Sequence, residues 1–431
     1  MTTVTTVSQK KCIPRRGKSA LAIGIIAASS LASLPENIRA ADSESFDKLE
    51  QENKDLRTRL DVLEGIARKE GILPNDKSKS KLVSAMSSVS ISGFVQASYF
   101  YNLDKPADKH SDGYLWNNTD NSFSLNKFKL TLASPPVATD SWDAGFRTSL
   151  LLGEDSPNLN TGSPMAGFES LREAFVELNV PVGTGLNVKA GQLISLLNYE
   201  SGDGGAANDN FSQGNQWWFT GNGPSAGVQL GYSLTETVGL KVRVQNGMFA
   251  GPVDSNEGKA LLTSLGFKPT DKSWVSLIGW YSEENATTDV TGGSILAGYK
   301  ITDNLNTGLE ADYFHFVNAL KADSDLWSIG TWFSYSLTSK TALALRADYI
   351  QNPDGVLGPA VRPNAGILSP DLDGSLGSLT LTYNYKPTPN LKIQPEVRYD
   401  YTTYTGLGGA PGALDGSKTR VIVGAGISYL F

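Results

Sequence analysis

From residue 89 onward the chain alternates apolar and polar side chains with a period of two, the pattern of β-strands whose two faces meet different surroundings. The clearest stretch is 391–401. Leu391, Ile393, Pro395, Val397, Tyr399 and Tyr401 share one face, and Lys392, Gln394, Glu396, Arg398 and Asp400 share the other. A soluble sandwich alternates too, but this polar face is too charged for a packed core. It suits a water-filled lumen, with the apolar face turned to lipid. Pro395 departs from the pattern, since proline removes a ladder hydrogen bond. The alternation recurs at 142–152, where Trp142, Phe146, Leu150 and Leu152 oppose Asp143, Arg147 and Ser149. It recurs at 238–244, where Leu240, Val242 and Val244 oppose Lys241 and Arg243. It recurs again at 343–349 and 379–385. Residues 258–282 alternate poorly.

The connectors between these stretches also alternate. Short ones fall near 134–140, 181–185, 235–236, 270–271, 302–304, 338–340 and 387–390. Long ones fall near 102–121, 153–169, 198–223, 249–257, 283–290, 317–323, 352–373 and 403–418. Seven short turns interleaved with eight long loops predict an antiparallel transmembrane β-barrel of about sixteen strands. A barrel of that size encloses an aqueous channel rather than a filled core. An even strand number puts both barrel ends on the short-turn rim, the periplasmic side. Aromatic residues near strand ends, such as Tyr99, Tyr101, Trp274, Trp280, Trp327 and Trp332, fit interfacial girdles, although aromatics favour strands in any case.

Before residue 88 the pattern is different. Residues 10–18 are basic, 19–34 are apolar and small, and Ile38-Arg39-Ala40 offers a cleavage point, the layout of a secretory signal over 1–40. Residues 41–72 read as helix. Phe46, Asn53 and Leu60 fall on one heptad position, and Leu49, Leu56 and Leu63 on the position three residues later, which predicts a short coiled coil with Asn53 fixing its register. Gly71 and Pro74 end the helix, and 73–87 read as a polar linker to the barrel over 88–431.

Composition sharpens this picture. The mean hydropathy of -0.21 is too polar for a bundle of membrane helices but compatible with a barrel. The one cysteine, Cys12, precedes the apolar run, so it is wrongly placed for a lipid anchor, and removing the leader removes every thiol. The whole chain carries -7. Residues 1–40 hold six basic side chains against Glu36, so the remainder is near -12. That balance argues against nucleic acid as a partner. The two histidines, His110 and His315, sit in no Ser/His/Asp arrangement, so no catalytic residue is assigned. Asp371, Asp373 and Gly374 lack the glutamate spacing of a calcium loop, so neither a metal site nor a cofactor is expected.

The chain ends on an alternating strand, with Val421, Val423, Ala425, Ile427, Tyr429 and Phe431 on one face. Tyr429 and the final Phe431 look like the signal read by the barrel-assembly machinery. Region 88–431 resembles the OmpL-like family of outer-membrane β-barrel porins. The resemblance rests on Ser92-Gly93-Phe94, residues 123–132 (FSLNKFKLTL), Val188-Lys189-Ala190-Gly191-Gln192, Asn198-Tyr199-Glu200, Asn210-Phe211-Ser212 and Tyr429-Leu430-Phe431. It implies a porin-like pore in outer-membrane lipid and names no solute.

A water-filled channel for passive diffusion is therefore the functional expectation, in the outer membrane, with the coil in the periplasm and a homotrimeric assembly. The alternative is a structural tether whose coil holds the envelope together, with the cell wall as its partner. The longest loop, 198–223, carries Glu200, Asp203 and Asp209 and no lysine or arginine. Folded inward, it would set these acids across a narrow eyelet from Arg147, Lys189, Lys241 and Arg243. The overall acidity adds an expected modest preference for cations.

Overall fold

The structure, a computed structural model, describes residues 55, 58–66, 89–111, 117–156, 170–249, 253–254, 256–285, 288–318, 323–352, 374–404 and 414–431. The chain divides into two units, Met1–Ser87 and Ser88–Phe431. In the first, residues 58–66 are helical, with Leu60 and Leu63 exposed. The leader and the coil positions Phe46, Leu49, Asn53 and Leu56 lie outside the described residues.

The second unit is a closed antiparallel barrel of sixteen strands, each bonded to its neighbours in sequence and the first to the last. They are β1 (Ser90–Asn102), β2 (Ser122–Ser134), β3 (Asp143–Leu152), β4 (Leu171–Val180), β5 (Leu186–Leu193), β6 (Ser225–Ser233), β7 (Val238–Gln245) and β8 (Ala260–Thr270). The second half comprises β9 (Ser273–Asn285), β10 (Thr288–Lys300), β11 (Leu305–Asn318), β12 (Ser324–Ser336), β13 (Thr341–Asn352), β14 (Gly374–Thr388), β15 (Leu391–Thr402) and β16 (Thr419–Leu430). Closure leaves no strand edge unpaired, which a bilayer demands because it offers backbone groups no hydrogen bonds.

The period-two pattern sets which face each side chain takes. On β15 the exposed Val397, Tyr399 and Tyr401 alternate with the buried Glu396, Arg398 and Asp400. Pro395 is accommodated on the outward face, opposite Ala425. Residues 258–282 alternate poorly for a physical reason: both faces there are apolar. Leu261, Leu265 and Leu277 point outward, while Leu262, Ile278 and Trp280 are buried inside. One expected long loop is corrected. Around 283–290 the strands continue, Glu283 facing Asp289 and Ser282 facing Val290, and only 286–287 join them.

The barrel closes where β1 meets β16, from Phe94 opposite Leu430 to Asn102 opposite Ile422. Phe431 extends this seam past the last strand. Its N–H donates to Gly93 O (3.0 Å), its carbonyl accepts from Gly93 N–H (2.9 Å), and its ring stacks on Phe128 at 6.4 Å. Tyr429 points outward opposite Val95 and Leu391. Deleting Phe431 removes both backbone bonds and the ring contact. The expected result is loss of the heat-modifiable gel species and of protein from outer membranes; unchanged migration and abundance would show that the seam closes without it.

Candidate functional site

The connection between β5 and β6, residues 194–224, does not stand over the barrel mouth. It turns into the lumen and is fixed to the inner wall along most of its length. Ordering a backbone costs about 1–2 kcal/mol per residue, which accounts for the density of its anchors.

Most of the polar anchors come from inward-facing positions of β2 and β13–β15, with others on β7, β11 and β12. The centre is Arg346 on β13. Its Nη1 pairs with Glu200 Oε1 at 2.8 Å, with side chains 0% and 2% exposed, and also donates to Ser212 O; its Nη2 donates to Thr380 Oγ1 at 2.8 Å. The second Glu200 oxygen accepts from Gly214 N–H at 2.8 Å. Glu396 accepts from Phe211 N–H (2.7 Å), Ser212 N–H (3.2 Å) and Thr382 Oγ1 (2.7 Å). Arg398 donates to Gln213 O (2.5 Å) and Asn215 Oδ1 (2.8 Å), and Lys392 to the carbonyls of Gly205 and Asn208. Lys129 on β2 pairs with Asp203 at 2.8 Å. These buried charges take the place of the water that the loop's carbonyls and N–H groups lose.

The apolar anchors use the other part of the wall. A one-turn helix in the loop, α1 (Asn215–Thr220), buries Trp218 and Phe219 in a cluster with Leu262, Ile278, Trp280, Phe314, Phe316 and Leu326. The lumen is therefore not lined by polar side chains throughout: β8–β12 present a largely apolar inner surface, interrupted by Glu310, Asp312 and Ser328, that the loop covers. Two wall glycines make room for rings. A Cβ on Gly426 would lie 1.9 Å from the Phe211 ring, and one on Gly308 would lie 2.1 Å from the Tyr199 ring. Tyr199 then stacks on Trp332 (4.5 Å) and Trp274 (6.0 Å). Burial raises its phenol above the ordinary value, with the charges of Asp209 and Glu200 adding to the shift, so it stays neutral at physiological pH.

The residues singled out from sequence do not form one acid-base eyelet. Glu200 is closed off in its pair with Arg346. Asp203 is on Lys129. Asp209 is exposed, and its carbonyl accepts from Asn384 and Gln394. The basic set stays on β3, β5 and β7 with other partners. Arg147 holds Glu173 at 2.7 Å, Lys189 lies 3.4 Å from Glu177, and Arg243 donates to Gln229 Oε1 (2.6 Å) and Ile194 O (2.7 Å). Lys241 is exposed, and no acid pairs with it among the described residues. In the sequence Glu396 and Arg398 lie on the polar face of 391–401 and Arg346 on that of 343–349, but nothing local shows that the loop would seek them. Two cavities flank the loop and share only Tyr199 and Glu200. One, of about 330 Å³, includes Trp274, Trp332, Asn208 and Asp209; the other, of about 300 Å³, includes Arg172, Asn198 and Trp217.

This arrangement of closed barrel and inserted loop can be set beside known proteins. The profile of the family described as beta-barrel porin-2, OmpL-like, matches residues 88–429. The chain belongs to this family. No curated protein matches the sequence. Among solved structures the chain is similar to OprB of Pseudomonas putida, with 15% identity and a TM-score of 0.54 over 81% of this chain and 96% of that one. It is similar to an anion-selective porin from Comamonas acidovorans, with 12% identity and a TM-score of 0.52 over 80% and 99%. It is also similar to OmpT of Vibrio cholerae in its trimer form, with 13% identity and a TM-score of 0.52 over 80% and 99%. At these identities the likeness is one of fold: an outer-membrane porin barrel.

The buried pair carries the loop, so its loss should be structural. Glu200→Gln leaves the buried Arg346 with only the more distant Asp348 (3.8 Å) as counter-charge and should cost about 3 kcal/mol, the low end for a broken buried pair, whereas Asp209→Asn, at an exposed carboxylate, should change stability little. Urea unfolding followed by heat-modifiable migration measures both; equal midpoints for the two variants would mean that the pair does not hold the loop.

Proposed function

We propose that this porin-family barrel is a channel for passive diffusion of ions and small hydrophilic solutes, narrowed at Tyr199 and Glu200. The observation that carries this reading is the loop pinned inside a sixteen-strand barrel with a cavity on either side of one short strip. Solutes pass beside β3–β7, where Arg147, Lys189 and Lys241 are at least partly exposed.

Selectivity follows the charges that water reaches, not the total. Glu200 and Asp203 are neutralised by Arg346 and Lys129, and the exposed Asp209 lies at the other cavity beside Trp274 and Trp332, while no acid pairs with Lys241 on the β3–β7 side among the described residues. The passage therefore favours anions weakly, the reverse of the cation preference that the chain's net charge suggests.

The pore works as a homotrimer in the outer membrane, delivered there after a signal over 1–40 is removed and inserted by the barrel-assembly machinery through Tyr429 and Phe431. An outer-face hollow of about 430 Å³ at the closing seam, between Tyr99, Phe123, Ile393 and Ile427 over Ala97 and Ala425, supports a seat for a neighbouring barrel. The exposed Leu60 and Leu63 support a coiled-coil seam on the periplasmic side that assists this assembly.

Planar-bilayer reversal potentials in a KCl gradient test the pore. The native protein should favour chloride modestly, and Lys189→Gln with Lys241→Gln should move the potential toward cations with folding intact. Absence of conductance would remove the channel reading, and an unmoved potential would place the passage elsewhere. Crosslinking in intact membranes should give three chains per particle; a single chain would remove the trimer.

A further inference from the structure

Glu310 and Asp312 follow one another on the inner face of β11, 1% and 4% exposed, and no ion pair joins either to a basic side chain among the described residues. One oxygen of each is engaged by the inserted loop and the next strand. Glu310 Oε2 accepts from Tyr199 N–H at 2.7 Å. Asp312 Oδ2 accepts from Gln216 Nε2 (2.8 Å), Thr220 Oγ1 (2.9 Å) and Ser328 Oγ (2.8 Å). The remaining oxygens, Glu310 Oε1 and Asp312 Oδ1, are buried with no hydrogen-bond partner.

A third orphan oxygen lies on the same patch. Gln216 is fully buried, and its Nε2 is committed to Asp312, to Ser328 Oγ at 2.9 Å and to Glu310 O at 3.3 Å, which fixes the amide's orientation. Its Oε1 is turned onto Gly330, where a Cβ would come within 2.0 Å, and Gly330 stands opposite Glu310 in the β11–β12 register. This oxygen also has no partner. Ser294, opposite Asp312 on β10 and 2% exposed, adds a hydroxyl at the edge.

Two uncompensated carboxylates in a desolvated site cannot both stay charged by themselves. A proton shared between two of the three orphan acceptors would leave the third unsatisfied. A hard cation would satisfy all three and cancel both charges. We propose that Glu310, Asp312 and Gln216 bind one divalent cation, and that it fastens the inserted loop to the β11 wall. The donors are all oxygen and irregularly disposed, which suits Ca²⁺ better than Mg²⁺ with its near-octahedral, water-rich shell. The site exists only when the loop is inside the barrel, since Gln216 and Thr220 come from α1. It does not depend on which solute crosses the pore.

The test uses the full chain, folded in detergent, stripped with a chelator and titrated with Ca²⁺ alone by calorimetry. Tb³⁺ luminescence sensitised by Tyr199 and Trp332 gives a spectroscopic readout at the same site. One Ca²⁺ should bind per chain and raise the heat-modifiability midpoint. Glu310→Gln and Asp312→Asn should each weaken binding by at least about tenfold and abolish the sensitised emission, while Asp209→Asn binds as the native chain does. If a variant fails to fold, stoichiometry and midpoint shift in the native protein still decide. No Ca²⁺-dependent heat or emission, or native affinity in both Glu310→Gln and Asp312→Asn, would overturn the proposal and leave the carboxylates sharing a proton.

Discussion

The arrangement inside this barrel depends on one buried guanidinium. Arg346 projects from β13 into the lumen, is fully buried, and holds Glu200, Ser212 and Thr380 together, with Asp348 at 3.8 Å. A charge removed from water must be paired on the spot or it costs several kcal/mol. The loop supplies the pairing, and in return its own backbone gains donors that water no longer provides. Neither partner is comfortable without the other. That mutual requirement fixes where residues 194–224 sit, and therefore where a passage past them lies.

The two kinds of anchor do different work. Apolar contact of Trp218 and Phe219 with β8–β12 is strong but tolerant of sliding, because burial has no direction. The bonds from Arg346, Glu396 and Arg398 are directional and set the register of the loop to within a hydrogen bond's tolerance. Glycine at 308 and 426 lets the Tyr199 and Phe211 rings lie against wall backbone, which a side chain at either place would prevent. A loop held in these three ways is fixed to the wall by direction and fit as well as by burial.

The outer surface answers to lipid alone, and there the rule is simpler. Each strand needs an apolar outward row and complete backbone pairing, and β15 shows both despite Pro395. The inner surface has no such uniform solvent. Some of it meets water, some meets the loop's polar backbone and some meets α1, so its composition changes from strand to strand.

These differences explain what the sequence by itself determined. Strand faces, the count of sixteen, the closing strand and the family were legible because a lipid face imposes a strict period of two, and because turns and loops differ in length on the two rims. The strands at 258–282 were hard to read because their inner face packs α1 instead of water. The extension of β9 to Asn285 and of β10 from Thr288 was hidden because nothing local stops the strands from continuing. The acids of the loop could be named, but their partners could not. Lys129 and Arg346 were no closer in sequence than Arg147 or Lys241, and only closure of the barrel sets which wall a loop of this length meets. Tertiary structure made that choice, by matching buried charge to buried charge and ring to glycine across strands far apart in the chain.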